Sequence, residues 1–114
     1  MNIERLENGA ITVLRLDGDI DEDGQNVLRM RLMECLKDQR FHVVVNMSDV
    51  KFVSYMGVGV LVERLRQLRS QGGDLKLSGV NLYTQRLFRM VGVTKVFEIF
   101  ESESQAVQAC REAA

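Results

Sequence analysis

The chain reads as an α/β domain with a mixed, mainly parallel sheet and one antiparallel edge hairpin. Three observations predict this. Short β-branched runs alternate with amphipathic stretches in the order ββαβαβαβα. The run Phe41 to Val45 is apolar almost without a break, the pattern of a central strand covered on both faces. Asn8-Gly9 stands between the first two runs, the strongest short-range signal for a hairpin.

The first strand is expected from Ile3 to Asn8 and the second from Ile11 to Leu16. In the second, Ile11, Val13 and Arg15 share one face while Thr12, Leu14 and Leu16 share the other. Apolar residues on both faces imply cover on each side. Asp17-Gly18-Asp19 breaks the strand, and a helix is expected from about Gln25 to Asp38, burying Leu28, Leu32, Cys35 and Leu36. After the central strand, Asn46 to Tyr55 reads as a loop. A second helix runs from Gly57 to about Gln71 on the stripe Val58, Leu61, Val62, Leu65 and Leu68, and Gly72-Gly73 closes it. Its other face, Glu63, Arg64, Arg66, Gln67 and Arg69, is expected in solvent.

Asp74 to Ser78 follows as a short strand. A third helix, about Leu82 to Met90, is expected to bury Tyr83, Leu87 and Met90. Val96 to Phe100 makes the last strand. Ser102 and Gln105 form an S-x-x-Q capping box for a final helix with the stripe Ala106, Ala109, Cys110 and Ala113. No linker or repeat interrupts the pattern, so one domain, residues 1–114, fills the chain.

Composition narrows the function classes. With 15 basic and 16 acidic residues, the formal charge of −1 offers no bulk attraction to nucleic acid or an anionic membrane. No apolar run approaches the ~20 residues that cross a bilayer, and the N-terminus lacks a signal-peptide pattern. A cytoplasmic protein without direct membrane insertion is expected. Cys35 and Cys110 each fall on a helix stripe, as reduced core thiols do. The one histidine, His42, opens a strand and is read as structural.

Enzyme templates fail. There is no phosphate-binding G-x-x-x-x-G-K-[ST] loop and no G-x-S-x-G elbow. Gly57-Val58-Gly59 starts like a dinucleotide fingerprint, but Val62 stands where the third glycine belongs. The acidic stretch Asp17, Asp19, Asp21, Glu22 and Asp23 lacks calcium-loop spacing. It reads as a solvated loop favouring the next helix N-terminus, with a partner-recognition edge as another reading. No cofactor is expected.

The remaining feature is the turn between the central strand and the second helix, carrying Ser54, Tyr55, Met56 and Gly57. Such turns are where α/β domains display functional groups. The flanks resemble a STAS domain of the anti-sigma factor antagonist kind. The segments that carry the likeness are Asn46-Met47-Ser48, then Val50 and Phe52-Val53, then Ser54-Tyr55-Met56-Gly57-Val58-Gly59-Val60-Leu61. Gly72-Gly73-Asp74-Leu75-Lys76-Leu77, Arg86-Leu87-Phe88 with Gly92 and Phe97, and Leu16-Asp17-Gly18-Asp19-Ile20-Asp21 extend the similarity over almost the full chain.

The resemblance implies a non-enzymatic regulator. In that family an unphosphorylated antagonist binds an anti-sigma factor, often a serine kinase, and phosphorylation of a serine in the turn blocks the complex. Here Tyr55 stands at the acceptor serine, Ser54 at the preceding Asp, Met56 at the next Ser or Thr, and Asn46 at the carboxylate ending the strand. A tyrosine oxygen lies about 4 Å further from the backbone than a serine's. The resemblance therefore implies a degenerate acceptor at Tyr55, Ser54 and Ser48 as alternative acceptors, and a lost or altered phospho-switch. The implied partner surface comprises Asp19, Asp21, Asn46, Ser48, Ser54, Tyr55, Met56, Gly57 and Gly59. The partner is expected to be an anti-sigma factor or serine kinase. Docking as a subunit of a larger assembly, such as a lipid transporter or stress-signalling complex, is the alternative.

Overall fold

In the computed structural model, which describes residues 1–113, the elements follow the expected order. They are β1 (Asn2–Asn8), β2 (Ile11–Asp17), α1 (Glu22–Lys37), β3 (His42–Asp49), α2 (Tyr55–Ser70), β4 (Asp74–Ser78), α3 (Leu82–Met90), β5 (Ile99–Phe100) and α4 (Glu103–Ala113). The strands lie side by side in chain order. β1 pairs antiparallel with β2, and β2 to β5 pair parallel.

That order explains the layering. Three successive crossovers of one hand step the same way across the sheet, so α1, α2 and α3 all land on one face. Leu14, Leu16, Val43, Val45, Leu75 and Leu77 point into that layer and meet Leu28, Leu32, Leu61, Leu65, Leu68 and Phe88. α4 covers the opposite face, where Ala106, Val107 and Cys110 pack on Ile11, Val13 and Val44. The two-faced pattern of β2 and the continuous run in β3 are thus both satisfied.

Local chemistry sets the helix starts. Asp21 caps α1, its Oδ1 accepting the Gly24 amide at 2.8 Å, so the helix begins before Gln25. Ser54 caps α2, which therefore starts at Tyr55 rather than Gly57. Asn81 caps α3 through the Thr84 amide at 2.8 Å. The capping box of α4 is present, with Ser102 Oγ accepting the Gln105 amide and Gln105 Oε1 accepting the Ser102 amide.

Other expectations are corrected, among them the solvent placing of Arg64, which is buried. The hairpin turns at Gly9-Ala10, because Asn8 is already paired with Ile11 and Gly9 supplies a φ of 61°. β3 continues to Asp49, since Asn46, Met47 and Ser48 keep a strand's alternation with Met47 buried. In α3 the buried positions are Thr84 and Phe88, while Tyr83 and Met90 are exposed and Leu87 is half-buried. Phe88 stacks on Phe97 at 5.4 Å, and that aromatic pair orients the helix. β5 is only two residues long, because Val93 to Phe97 turns to deliver Phe97 to Phe88. Val107 joins Ala106 and Cys110 in the buried stripe of α4, while Ala109 is half-buried and Ala113 exposed. Among the described residues no helix is long and apolar enough to cross a membrane.

Candidate functional site

The connections leaving β2, β3 and β4 meet at the carboxyl ends of the parallel strands, and hydrogen bonds join them into one rim. Ile20 N–H donates to Phe52 O and Ser54 N–H to Ile20 O, both at 2.8 Å, making a short parallel bridge between Ile20 and Val53. From the other side Asn81 Nδ2 donates to Val50 O at 3.3 Å and Lys51 O at 3.2 Å. Val50 and Val53 point inward and are buried. The turn is therefore held from below and on both flanks.

Ser54 is the hinge of this arrangement. Its Oγ accepts the Gly57 amide at 2.9 Å and donates its proton to Gln25 Oε1 of α1 at 3.1 Å. One hydroxyl thus caps α2 and ties it to the first turn of α1, and Gln25 is buried beneath it. Gly57 permits the close seat: a Cβ there would lie 2.6 Å from Ile20 Cγ2 and 3.2 Å from Ser54 Oγ. Gly59 has no such reason, since a Cβ there would meet nothing within 4 Å.

With the inward residues committed, the outward ones are apolar. Tyr55 is 72% exposed, Met56 65% and Phe52 41%. The start of α3 adds Leu82 and Tyr83, also exposed. Beside Tyr55 a groove of about 570 Å³ runs between α2 and the segment after α3, over Val58, Gly59, Val62, Val91 and Val93. The open space at Gly59 lies in this groove. Large apolar side chains exposed around one end of a sheet mark interaction sites.

The sequence-implied residues fall into two groups. Ser54, Tyr55, Met56, Gly57 and Gly59 build the rim and its groove, with Asp19 and Asp21 exposed on the adjoining β2–α1 connection. Asn46 and Ser48 do not join them. Strand alternation turns Asn46 toward α4, where its Nδ2 donates to Glu103 Oε1 at 3.1 Å. Its Oδ1 accepts the Ser48 amide at 2.9 Å and the Ser48 hydroxyl at 2.7 Å. Arg15 grips the same Glu103 through Nε at 2.8 Å and Nη2 at 2.9 Å. Those Arg15 bonds outweigh partial burial and, with Asn46, hold the Glu103 carboxyl below its usual range. Asn46 thus joins β3 to α4. The alternation of β3 was the signal for this, masked by the polarity of Asn46 and Ser48.

Phe52, Leu82 and Tyr83 were missed as rim residues, and Gln25 and Asn81 as its supports. The Asn81 cap before α3 was readable; which side chains of α3 faced out was not. His42 is the first residue of β3, at the opposite end of the sheet from Ser54. Among the described residues no three His, Cys, Asp or Glu side chains converge as metal ligands would.

Comparison with known proteins places this geometry. A family model described as the STAS domain matches residues 2–106. The anti-sigma F factor antagonist of Paenibacillus polymyxa is 26% identical over 108 residues, covering 94% of this chain and 92% of the relative. The anti-sigma-B factor antagonist of Bacillus subtilis is 28% identical, covering 95% of this chain and 98% of the relative. An anti-sigma factor antagonist structure from Mycobacterium paratuberculosis superposes with a TM-score of 0.86 at 20% identity, covering 96% and 93% of the two chains. The phosphorylated Bacillus cell fate determinant SpoIIAA superposes at 0.76 and 18% identity, covering 95% and 98%. The murine anion transporter Slc26a9 matches at 0.77 and 18% identity, covering 94% of this chain but 18% of the transporter.

Proposed function

Because the chain belongs to the STAS domain family, we propose that it is a cytoplasmic, non-enzymatic regulator whose rim binds an anti-sigma factor or serine-kinase-fold partner. Its relatives named as anti-sigma factor antagonists support the partner class. The observation that carries the reading is the exposure of Phe52, Tyr55 and Met56 on a turn braced from three sides. A turn whose backbone is already ordered presents large side chains without having to be ordered on binding, which suits the centre of an interface.

The same geometry bears on regulation. Tyr55 occupies the family's acceptor position, and its phenol extends well beyond where a serine hydroxyl would lie. The neighbouring hydroxyl, on Ser54, is engaged as donor to Gln25 and acceptor from Gly57. Phosphate transfer to that oxygen would remove the proton it donates to Gln25 Oε1. Our reading is a binding surface released from the usual serine phospho-switch.

The test uses the purified chain against each anti-sigma factor and serine kinase encoded in its own genome, by titration calorimetry. Tight binding of one of them is expected, and binding of none overturns the reading. Incubation with the bound kinase and ATP, followed by mass spectrometry, checks the switch; stoichiometric phosphate at Ser54, Tyr55 or Ser48 would restore it.

A second reading rests on the transporter match: the same fold occurs as a small part of a membrane transporter. Here the rim would dock constitutively on an ATPase or scaffold of a larger assembly. Capture of a transporter ATPase, with no binding to anti-sigma factors or kinases, would favour it.

A further inference from the structure

A second feature lies outside the rim, on the outer surface where α1 and α2 pack. Arg64 belongs to the face of α2 expected in solvent, yet it is 6% exposed. Its Nη1 donates to Gln67 Oε1 at 2.7 Å and its Nη2 to the Arg29 carbonyl of α1 at 3.3 Å. Both acceptors are neutral. Its Nε–H is buried and meets no acceptor. Among the described residues no carboxylate lies within ion-pair distance of this guanidinium, although Arg5, Arg15, Arg31, Arg40, Arg69 and Lys76 all have one.

A buried cation without a counter-charge is destabilising, because desolvation is offset by nothing of opposite sign. A carboxylate from outside the chain would supply the missing opposite charge. The crevice is present. Arg64 opens onto a depression of about 280 Å³ between the helices, lined also by Arg29, Met30, Met33, Glu34 and Lys37. Its lone carboxylate, Glu34, is already paired with Arg31 at 2.7 Å. Three cations therefore surround a methionine floor with no free acid among them, and Met30 is 62% exposed.

We infer that the α1–α2 face is a docking site for an acidic amphipathic helix of a protein partner, its apolar anchor on Met30 and Met33 and its carboxylates on Arg64, Arg29 and Lys37. The charge pattern selects the acidic flanks, and methionines adapt to an apolar anchor. A depression of about 280 Å³ has room for one large apolar side chain. Arg64 follows Tyr55 by nine residues, roughly 13 Å along the helix. The crevice itself does not include Tyr55, although Gln67, which accepts from Arg64, also lines the groove beside Tyr55.

The probe is a synthetic helical peptide whose leucine stripe is flanked by glutamates, compared with a copy carrying lysines in their place. Fluorescence anisotropy at low and high ionic strength reads binding. The glutamate peptide should bind the wild-type chain, weaken with salt, and lose about tenfold or more in affinity on Arg64→Met. The lysine peptide should not bind, and Tyr55→Ala should bind the glutamate peptide as wild type does. Arg64→Met should melt no lower than wild type, since it removes an uncompensated charge. Should that variant not fold, the exposed pair Arg29→Ala with Lys37→Ala carries the same test. Absence of glutamate-peptide binding, or equal affinity in wild type and Arg64→Met, overturns the proposal. So does loss of peptide binding in Tyr55→Ala. Decanoate or inorganic phosphate raising the wild-type melting temperature as far as the peptide does would overturn the choice of a protein partner.

Discussion

Two glycines two residues apart in α2 should respond oppositely to one methyl group. At Gly57 an added Cβ would stand 2.6 Å from Ile20 Cγ2 and 3.3 Å from Val53 Cγ1. Neither neighbour can yield easily: Ile20 is fully buried, Val53 is 2% exposed, and both are β-branched. Overpacking of this kind costs about 1–3 kcal/mol. The gain in helix propensity returns up to about 1 kcal/mol, leaving Gly57→Ala destabilised by roughly 1–2 kcal/mol. At Gly59 there is nothing within 4 Å to meet, so Gly59→Ala keeps the propensity gain of about 0.5–1 kcal/mol. For a domain of this size 1 kcal/mol moves Tm by roughly 4 °C. Calorimetric melts should place Gly57→Ala about 4–8 °C below wild type and Gly59→Ala about 2–4 °C above it. If Gly57→Ala melts with wild type, α2 does not seat on Ile20 and the braced rim is wrong. A stabilised Gly59→Ala that also loses partner affinity would mark that glycine as keeping the groove open.

Ser54→Ala removes a cap and strands Gln25 Oε1, so urea melts should show a loss of about 1–2 kcal/mol; Ser54→Asp should recover only the capping part, since its carboxylate accepts the Gly57 amide but has no proton for Gln25 Oε1. On β4, burial raises the Asp74 carboxyl and lowers the Lys76 ammonium. Their mutual bond at 2.8 Å, with Arg69 and the Leu75 amide on Asp74 and Glu98 on Lys76, outweighs burial in both. Asp74 is thus held below its usual 3.8 and Lys76 above its usual 10.5. The stability from Asp74 is present above 3.8 and is lost as pH falls through its lowered value; that from Lys76 is present below 10.5 and is lost as pH rises through its raised value. Denaturant melts across pH should show a plateau between those limits, with both flanks shallower in Lys76→Met. Burial pushes the Cys35 thiol up to about 11, so a thiol reagent at pH 8 should label it only after unfolding; labelling of Cys35 itself in the native chain, located by mass spectrometry, would contradict the packing of α1 on the sheet.

The element order was legible because each helix and strand has one clear apolar period, and because caps and glycines punctuate the chain. Where a period was ambiguous the reading failed. α3 carries Leu82, Tyr83, Leu87, Phe88 and Met90, which spread around the whole helix. The buried face is selected by Phe88 entering the main core and stacking on Phe97 beyond the helix. The stripe starts at Thr84, whose polarity concealed it. Arg64 failed for a related reason: its charge argued for solvent, while its position between α1 and α2 buries it. For the site, Tyr55 and Met56 could be placed from the turn alone. The support from Gln25 and Asn81 comes from loops brought together by the crossovers, and no local pattern encodes that.

The account stands on Tyr55 being an interface anchor rather than a part of the core. The most direct check is titration of Tyr55→Ala against the anti-sigma factor or kinase that the wild-type chain binds, with a thermal melt of the same sample. With 72% of the side chain's residue surface exposed, affinity should fall about tenfold or more while Tm stays within roughly 2 °C of wild type. Unchanged affinity, or a melt lowered in step with it, would contradict the account.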